Sequence, residues 1–490
     1  MDIDKLKKVH IIGIGGIGVS AVARWLKKLG VEVGGSDLTS SMVTQELENL
    51  GIKIFFGHKE ENISNDLDLV IYSSAVPFDN PERIASLAIG IKELSYNEFL
   101  GEISKDYFTI AISGTNGKST TTALVGLIFE AANLDPTVIV GSRVKEWQGN
   151  FRLGSSNYFI IKRAREIKNE VFHFRANADI KRFNTPFIVE ACEWQAHMLN
   201  LFPKVIVLTN IEADHLDYYR DLNHIINTFQ EYIDRLSSDN LLILNTDDQN
   251  IAKLKPKCRV VTYGIKNNAD IMAKNIDFLT GLTRFDLFFK NENLGKIELA
   301  VPGEFNIYNT LAAIALSLKF DINFEIIKKT LKNFKGIWRR FEIIKNDHVL
   351  TVVSDYAHHP TAIRETIKAA KRFFPNRRLV VIFQPHQHNR TKSLFKDFGR
   401  SFTMADLTIL AEIYDVAGRE NLEDQNISSR DLLEEIKENK QNQVFYAASL
   451  KEAASLYKKN QQAGDVVIIM GAGDIYEIAE EIQAAAREVV

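Results

Sequence analysis

The chain has 490 residues, 45% hydrophobic and 25% charged, with 27 Gly and 10 Pro, which excludes a mainly disordered or fibrous protein and leaves room for two to four domains of roughly 100–200 residues. Sixty Lys plus Arg stand against 63 Asp plus Glu, a formal net charge of −3, so no global field draws the chain to nucleic acid or an anionic membrane and any anionic ligand must be held locally. Two cysteines, Cys192 and Cys258, are too few for a disulfide framework or a zinc ribbon; with no signal-peptide pattern and no apolar run near ~18 residues, they point to a cytoplasmic protein.

Short β-branched runs alternating with helical periodicity predict an α/β protein with largely parallel sheets. A first unit, 1–104, reads as strand 9–14, helix 16–29 and strands 31–35 and 69–74. A second, 105–336, opens with strand 108–113, a glycine loop and a helix. It continues through strands 187–191, 205–209, 241–245 and 260–263, an alternating antiparallel stretch at 283–299, and helices 307–319 and 324–333. A third, 337–490, has strands 350–354, 379–383, 407–410 and 466–470. Segment 158–161 also reads as a strand, and the basic, weakly periodic 162–186 after it reads as an insertion.

Gly13, Gly15 and Gly18 follow the first strand in a G-x-G-x-x-G pattern that includes Gly16, and Ser36-Asp37 ends the next strand. That arrangement sets a pyrophosphate on a helix N-terminus with an acid near a ribose, so it suits a dinucleotide or a UDP-sugar equally. Ser73 and Ser74 end the strand beyond. The sharpest motif is Gly114-Thr115-Asn116-Gly117-Lys118-Ser119-Thr120, a shortened P-loop between strand and helix. A triphosphate needs backbone N–H groups, a helix N-terminus, a lysine and a hydroxyl for Mg2+, and this turn carries all four.

Two further strand ends are acidic: Glu190-Ala-Cys-Glu193, and Asn210-Ile-Glu212-Ala-Asp214-His215. Carboxyl ends of parallel strands share a side with the P-loop, so Glu190 and His215 are expected to face the phosphates, and oxygen donors with one imidazole suit Mg2+. In the third unit, Asp355-Tyr356-Ala357-His358-His359-Pro360-Thr361 and Gln384-Pro385-His386-Gln387-His388-Asn389-Arg390-Thr391 form a polar binding edge at adjacent strand ends. Arg339-Arg340 reads either as a solvated charge pair or as ligand contacts. Adjacent His358 and His359 do not make a metal site, because neighbouring residues rarely ligate one ion together.

In order along the chain, GTNGKST, the two acidic strand ends, Asn306 and Asn309 in PGEFNIYN, Arg340-Phe341 and DYAHHPT resemble the Mur ligase family, the ATP-dependent amide-forming enzymes of peptidoglycan precursor synthesis. The resemblance spans the chain apart from 162–186. It implies a three-domain α/β Mur ligase architecture: a Rossmann-like N-terminal domain binding a UDP-sugar, a central P-loop ATPase domain and a Rossmann-like C-terminal domain. GIGGIG, Ser36-Asp37, Ser73-Ser74 with Asn80-Pro81-Glu82, and QPHQHNRT resemble the branch that joins L-alanine to UDP-N-acetylmuramate. The 216–235 stretch holds no lysine, whereas later-acting branches commonly carry a carbamylated one there. That leaves the alanine-adding branch or its relative that recycles murein tripeptide.

By the same resemblance the lactyl carboxylate takes the γ-phosphoryl group of ATP, and the amine of L-alanine displaces phosphate from the acyl phosphate. Lys118, Glu190 and His215 are the implied catalytic set, with Mg2+ on Ser119 or Thr120, Glu190 and His215. Asn306 and Asn309 are expected to face adenine, Arg340 and Asp355 the ribose and phosphates, and Tyr356, His358, His386 and Arg390 the amino acid. Gln387 departs from the arginine common in alanine-adding relatives and cannot make a bidentate carboxylate clamp. Two other classes fit less of the sequence. An NAD-dependent dehydrogenase leaves the P-loop unexplained, and a non-catalytic nucleotide-gated binder leaves Lys118, Glu190 and His215 without a task.

Overall fold

The computed structural model describes residues 3–154, 185–216, 218–415, 427–439 and 443–485. Its described residues form three sheets in two compact units, one of 1–214, 218–272 and 309–330, the other of 215–217, 273–308 and 331–490.

In the first unit, β1 (Lys8–Ile12), β2 (Glu32–Asp37), β3 (Lys53–Phe56), β4 (Leu69–Tyr72) and β5 (Glu93–Ser95) make a parallel sheet in the order β3-β2-β1-β4-β5. The strands on either side of β1 follow opposite winding directions, so a crevice opens beyond its carboxyl end, where the first glycine loop lies. The helix Ile17–Lys28 buries Val19, Ala21, Val22, Trp25 and Leu26 and stops at Leu29, before Gly30 with φ +85°. The Asn80-Pro81-Glu82 run is a helix start: Asn80 Oδ1 accepts the Glu82 and Arg83 N–H groups and Pro81 takes the first helical position of Pro81–Ala88.

The second sheet of this unit runs β12-β11-β10-β6-β9-β7-β8. It is built from β6 (Phe108–Ser113), β7 (Thr137–Val144), β8 (Gly149–Arg152), β9 (Pro186–Ala191), β10 (Val205–Leu208), β11 (Leu241–Asn245) and β12 (Arg259–Gly264). All neighbours pair in parallel except β7 with β8. β6, β9 and β10 are buried almost end to end, as strands covered on both faces must be. One apolar core joins this sheet to the first. Trp25, fully buried, lies 5.8 Å from Phe151 and 5.4 Å from Phe187, so Trp25→Ala would cost about 3–5 kcal/mol.

The expected strand at 158–161 and most of the expected insertion lie outside the described residues. Pro186, placed at the end of that insertion, is instead the first residue of β9 and pairs with Phe108. Its missing N–H costs nothing at a strand's first position, which is why proline is tolerated there.

The second unit holds most of β13 (Ile271–Leu279) with β14 (Leu282–Phe289) and β15 (Glu292–Leu299), the last two pairing antiparallel as their alternation predicts. Its main sheet is β16-β17-β21-β18-β19-β20, from β16 (Glu342–Asn346), β17 (Leu350–Asp355), β18 (Leu379–Phe383), β19 (Leu407–Ala411), β20 (Gln443–Ala447) and β21 (Asp465–Met470). All its pairs are parallel except β16 with β17. Val353, Val381 and Ile468 belong to one apolar cluster and Val352, Val380 and Val467 to another. The period of two assigns the clusters to opposite faces, so this sheet too is covered on both sides.

Candidate functional site

The first glycine loop is shaped by contacts that exclude side chains. Gly13, at φ +74°, donates to Ser36 O at 2.8 Å, and Gly15 donates to Asp37 Oδ2, also at 2.8 Å. A Cβ on Gly15 would fall 2.8 Å from that carboxylate oxygen, and one on Gly18 would fall 2.8 Å from the Tyr96 ring. Asp37 therefore braces the loop, while Ser73 N–H bonds Ile12 O and Ser74 Oγ accepts from Asn97. Gly16 caps the helix Ile17–Lys28, whose opening N–H groups suit a phosphate.

Beneath this loop lies a buried cluster whose partners sequence reasoning did not bring together. Glu82 is fully buried; its Oε2 accepts from Ser36 Oγ at 2.6 Å and meets His10 Nε2 at 2.9 Å, and its Oε1 accepts from Asn62 at 2.6 Å. His58 Nδ1 lies 3.0 Å from the Ser36 hydroxyl. Burial pushes the Glu82 carboxyl up, but the bonds from His10, Ser36 and Asn62 outweigh it and hold the group below the ordinary glutamate range. Ser36 thus acts through its backbone carbonyl on the loop, and its hydroxyl is committed to Glu82.

The P-loop follows β6 into the helix Lys118–Ala131. Gly114 has φ +129°, and a Cβ there would collide with Thr209 Oγ1; Gly117 caps the helix at φ +83°, and a Cβ there would collide with Asn309 Oδ1. Asn309 Oδ1 also accepts from Thr121 Oγ1 at 3.3 Å, so Asn309 meets the loop from the inside. Thr115 N–H bonds Asn210 O at 2.9 Å and Asn116 N–H bonds Asn210 Oδ1 at 2.8 Å. Thr209 Oγ1 donates to Asn116 O at 2.6 Å. The strand end after β10 therefore clamps the loop, and the N–H groups offered to an anion begin at Gly117 and run into the helix's first turn.

Glu190, at the end of β9, accepts from Ser119 Oγ at 3.0 Å through Oε1 and from Gly141 N–H at 2.7 Å through Oε2. Gly141 has no side chain where a Cβ would meet that carboxylate. A hydroxyl and a carboxylate 3.0 Å apart beside a phosphate loop are oxygen donors of the kind that would hold Mg2+. His215, which lies beyond the end of β10 and not β9, has a left-handed conformation, φ 54°. Lys118 Nζ lies 2.7 Å from Glu193 Oε2. Burial disfavours its charged form, yet the carboxylates of Glu193 first and Glu190 after it favour that form, and its pKa is raised. Burial and then Glu193 push the Cys192 thiol up to about 12, which leaves it protonated and unreactive.

In the second unit, Asp355 ends β17 with its carboxylate turned inward: Oδ2 accepts from Phe341 N–H at 2.6 Å and Oδ1 from Ala357 N–H at 2.7 Å. Burial raises its pKa. Asp355 thus fixes the turn that carries the arginine pair. Arg339, only 5% exposed, donates to Gly471 O and Gly473 O, so it is no solvated surface charge. Arg340 lies 4.7 Å from the Tyr356 ring centre. The Gly471-Ala472-Gly473-Asp474 turn after β21 went unread because its glycines precede only a short 3-10 turn, Asp474–Glu477, and form no extended motif.

Tyr356, His358, His386 and Arg390 come together as their strand-end positions predict. Tyr356 and His358 are edge-to-face at 5.1 Å, His358 and His386 lie 6.0 Å apart, and His386 stacks on Tyr414 at 5.7 Å. Arg390 Nη1 reaches His386 Nδ1 at 3.3 Å and Gln387 Oε1 at 3.2 Å. A guanidinium only donates, so in this contact His386 Nδ1 is the acceptor. Gln387, buried at φ 68°, thereby orients Arg390. Asn306 donates to Pro302 O at 2.7 Å.

A phosphate loop on a buried parallel sheet, with a lysine and carboxylates at adjacent strand ends, defines a P-loop nucleotide-dependent enzyme. The chain belongs to the Mur ligase family: residues 8–108 match the Mur ligase family catalytic domain, 112–317 the Mur ligase middle domain and 339–473 the Mur ligase glutamate ligase domain. It is 42% identical over 481 residues to a UDP-N-acetylmuramate–L-alanine ligase of Clostridium tetani, covering 97% of each chain. It is 39% identical over 488 residues to one of Alkaliphilus metalliredigens, covering 99% of this chain and 98% of the other. Among solved structures, the UDP-N-acetylmuramate-alanine ligase of Thermotoga maritima matches with a TM-score of 0.79 and 26% identity over 99% of this chain and 100% of that one.

Proposed function

We propose that this chain is an ATP-dependent ligase that joins L-alanine to the lactyl carboxylate of UDP-N-acetylmuramate, in the cytoplasm, as a step of peptidoglycan precursor synthesis. The observation that carries the reading is near-complete coverage, at about 40% identity, by relatives bearing that activity in their names. In this reading 1–104 takes the UDP-sugar, 105–336 ATP and 337–490 the amino acid.

The UDP pyrophosphate is assigned to the Gly13–Gly18 loop, with Asp37 as its brace, and the ATP phosphates to Gly117 and the first turn of Lys118–Ala131. A lactyl oxygen bonds to the γ-phosphorus as the bond to ADP breaks, and Lys118 offsets the charge that develops on the phosphoryl oxygens. Mg2+ would rest on Ser119 and Glu190, with Thr120 and His215 as further candidates, and when bound would neutralise phosphate charge. The amine of alanine, having lost a proton, then attacks the acyl carbon, and phosphate leaves. Arg390, steered by Gln387, is assigned to the alanine carboxylate, beside Tyr356, His358 and His386. Arg340 and Asn306 are assigned to the nucleoside side, Asn309 to support of the phosphate loop and Asp355 to support of the Arg340 turn.

The test is ADP release with UDP-N-acetylmuramate and ATP against L-alanine, glycine, L-serine and murein tripeptide. L-Alanine should be the best acceptor. Glycine and serine should follow, since one methylene or hydroxyl discriminates by only about 1–3 kcal/mol. Preference for the tripeptide would move the chain to the recycling branch. Thermal stabilisation by NAD and none by UDP-N-acetylmuramate would overturn the UDP-sugar assignment.

A further inference from the structure

Glu193 closes the acidic run after β9 yet has no part in the chemistry above. An ammonium has three N–H donors. Lys118 donates to Gly114 O at 2.7 Å and Thr115 O at 2.9 Å, and its Nζ forms an ion pair with Glu193 Oε2 at 2.7 Å. A phosphate oxygen brought to the ammonium must compete with these three neighbours. Two are neutral carbonyls of the loop itself; the third is a carboxylate, which repels the phosphates the loop is shaped to hold.

The pair is buried, with side chains 12% and 4% exposed, so water screens it little. Glu193 is also anchored. Its carbonyl accepts from Ala196 N–H at 2.9 Å and from the Tyr219 hydroxyl. Gln195 and Ala196, which follow it, sit at φ 48° and 56°, a left-handed pair without glycine that persists only where the surroundings enforce it.

Resting on the assignment of ATP to this loop, we infer that Glu193 is a positioning residue: it pairs with Lys118 and competes with nucleotide phosphate for its ammonium. The carboxylate keeps a buried lysine compensated and ordered, and nucleotide affinity is lowered by the contact that must be released.

The experiment is calorimetric titration of the full chain with ADP alone, in EDTA, for wild type, Glu193→Gln and Glu193→Asp, with a thermal melt of each without ligand. Glu193→Gln should bind ADP about tenfold more tightly, equivalent to about 1.4 kcal/mol. Glu193→Asp, whose carboxylate is drawn back by one methylene, should fall between, and both should melt below wild type when empty. A residue that merely supports the fold would lower melting and affinity together, so affinity equal to or weaker than wild type in both variants overturns the inference. If Glu193→Gln does not fold, the direction of the Glu193→Asp change decides alone. Wild type without ADP binding would overturn the nucleotide assignment, and this inference with it.

Discussion

Gly117→Ala tests whether the phosphate loop is shaped from inside by Asn309. The new methyl meets two obstacles. At φ +83° an L-residue loses about 1–2 kcal/mol relative to glycine. Its Cβ would also collide with Asn309 Oδ1 and lie 3.2 Å from Asn309 Cγ, so that side chain must leave Thr121 Oγ1. Losing one hydrogen bond costs about 0.5–1.5 kcal/mol. The sum, about 2–3 kcal/mol, corresponds to roughly 5–10 °C in melting temperature for a unit of a few hundred residues. Asn309→Ala alone should cost at least that hydrogen bond. In the double variant the collision is gone, so the two losses should fall short of additive by about 1 kcal/mol. Scanning fluorimetry of the four proteins, with and without ADP, measures this cycle. Additive losses, or a Gly117→Ala melt equal to wild type, would refute the reasoning.

Lys118→Ala should abolish ADP formation and, by leaving Glu193 buried without its counter-ion, cost about 3–5 kcal/mol; adding Glu193→Gln should recover the melt but not the turnover. Glu82→Gln should raise the Michaelis constant for UDP-N-acetylmuramate several-fold with little change for ATP, since the carboxylate acts on the glycine loop through Ser36. Because the Glu82 pKa is depressed in the folded state, its contribution is present above the ordinary value of about 4.3 and is lost as pH falls through the lowered one. The melting gap between wild type and Glu82→Gln should therefore be wide at pH 7 and close on acidification; a gap independent of pH would remove Glu82 from that role. Arg390→Ala should raise the Michaelis constant for alanine by about tenfold or more, as expected for a lost charge-assisted contact, with ATP dependence unchanged. Unchanged alanine dependence would take Arg390 out of the site.

The loops that place ligands were legible because their logic is local. Gly114 to Thr120 and Gly13 to Gly18 each carry strand, glycines and helix start within a dozen residues, and the structure puts them where that pattern requires. The supports beneath them were not, because each is one side chain brought from far along the chain. Asn210 reaches Asn116 across 94 residues, Glu82 reaches His10 across 72, and Arg339 reaches Gly473 across 134. No local periodicity marks such residues, and Asn80-Pro81-Glu82, legible as a resemblance, gave no hint that its proline and asparagine serve a helix start while its glutamate serves another strand. β3, β5, β7, β8, β13, β16 and β20 were missed for a related reason: their runs are short, edge-placed or interrupted by glycine and charge.

The discontinuity of the first unit bears on how the protein is made. Its last segment, 309–330, is separated from the rest by a 36-residue stretch, 273–308, that belongs to the other unit. The contact of Thr121 with Asn309 spans 188 positions. During synthesis the phosphate loop therefore emerges long before the side chain that braces it, and the intervening loop must close at an entropic cost before that contact rewards it. Nascent chains halted before residue 309 should hold the glycine loop in a looser form, protected from protease less well than chains halted after 330. Competence to bind nucleotide is then acquired late in translation, as a property of the returning helix rather than of the motif itself.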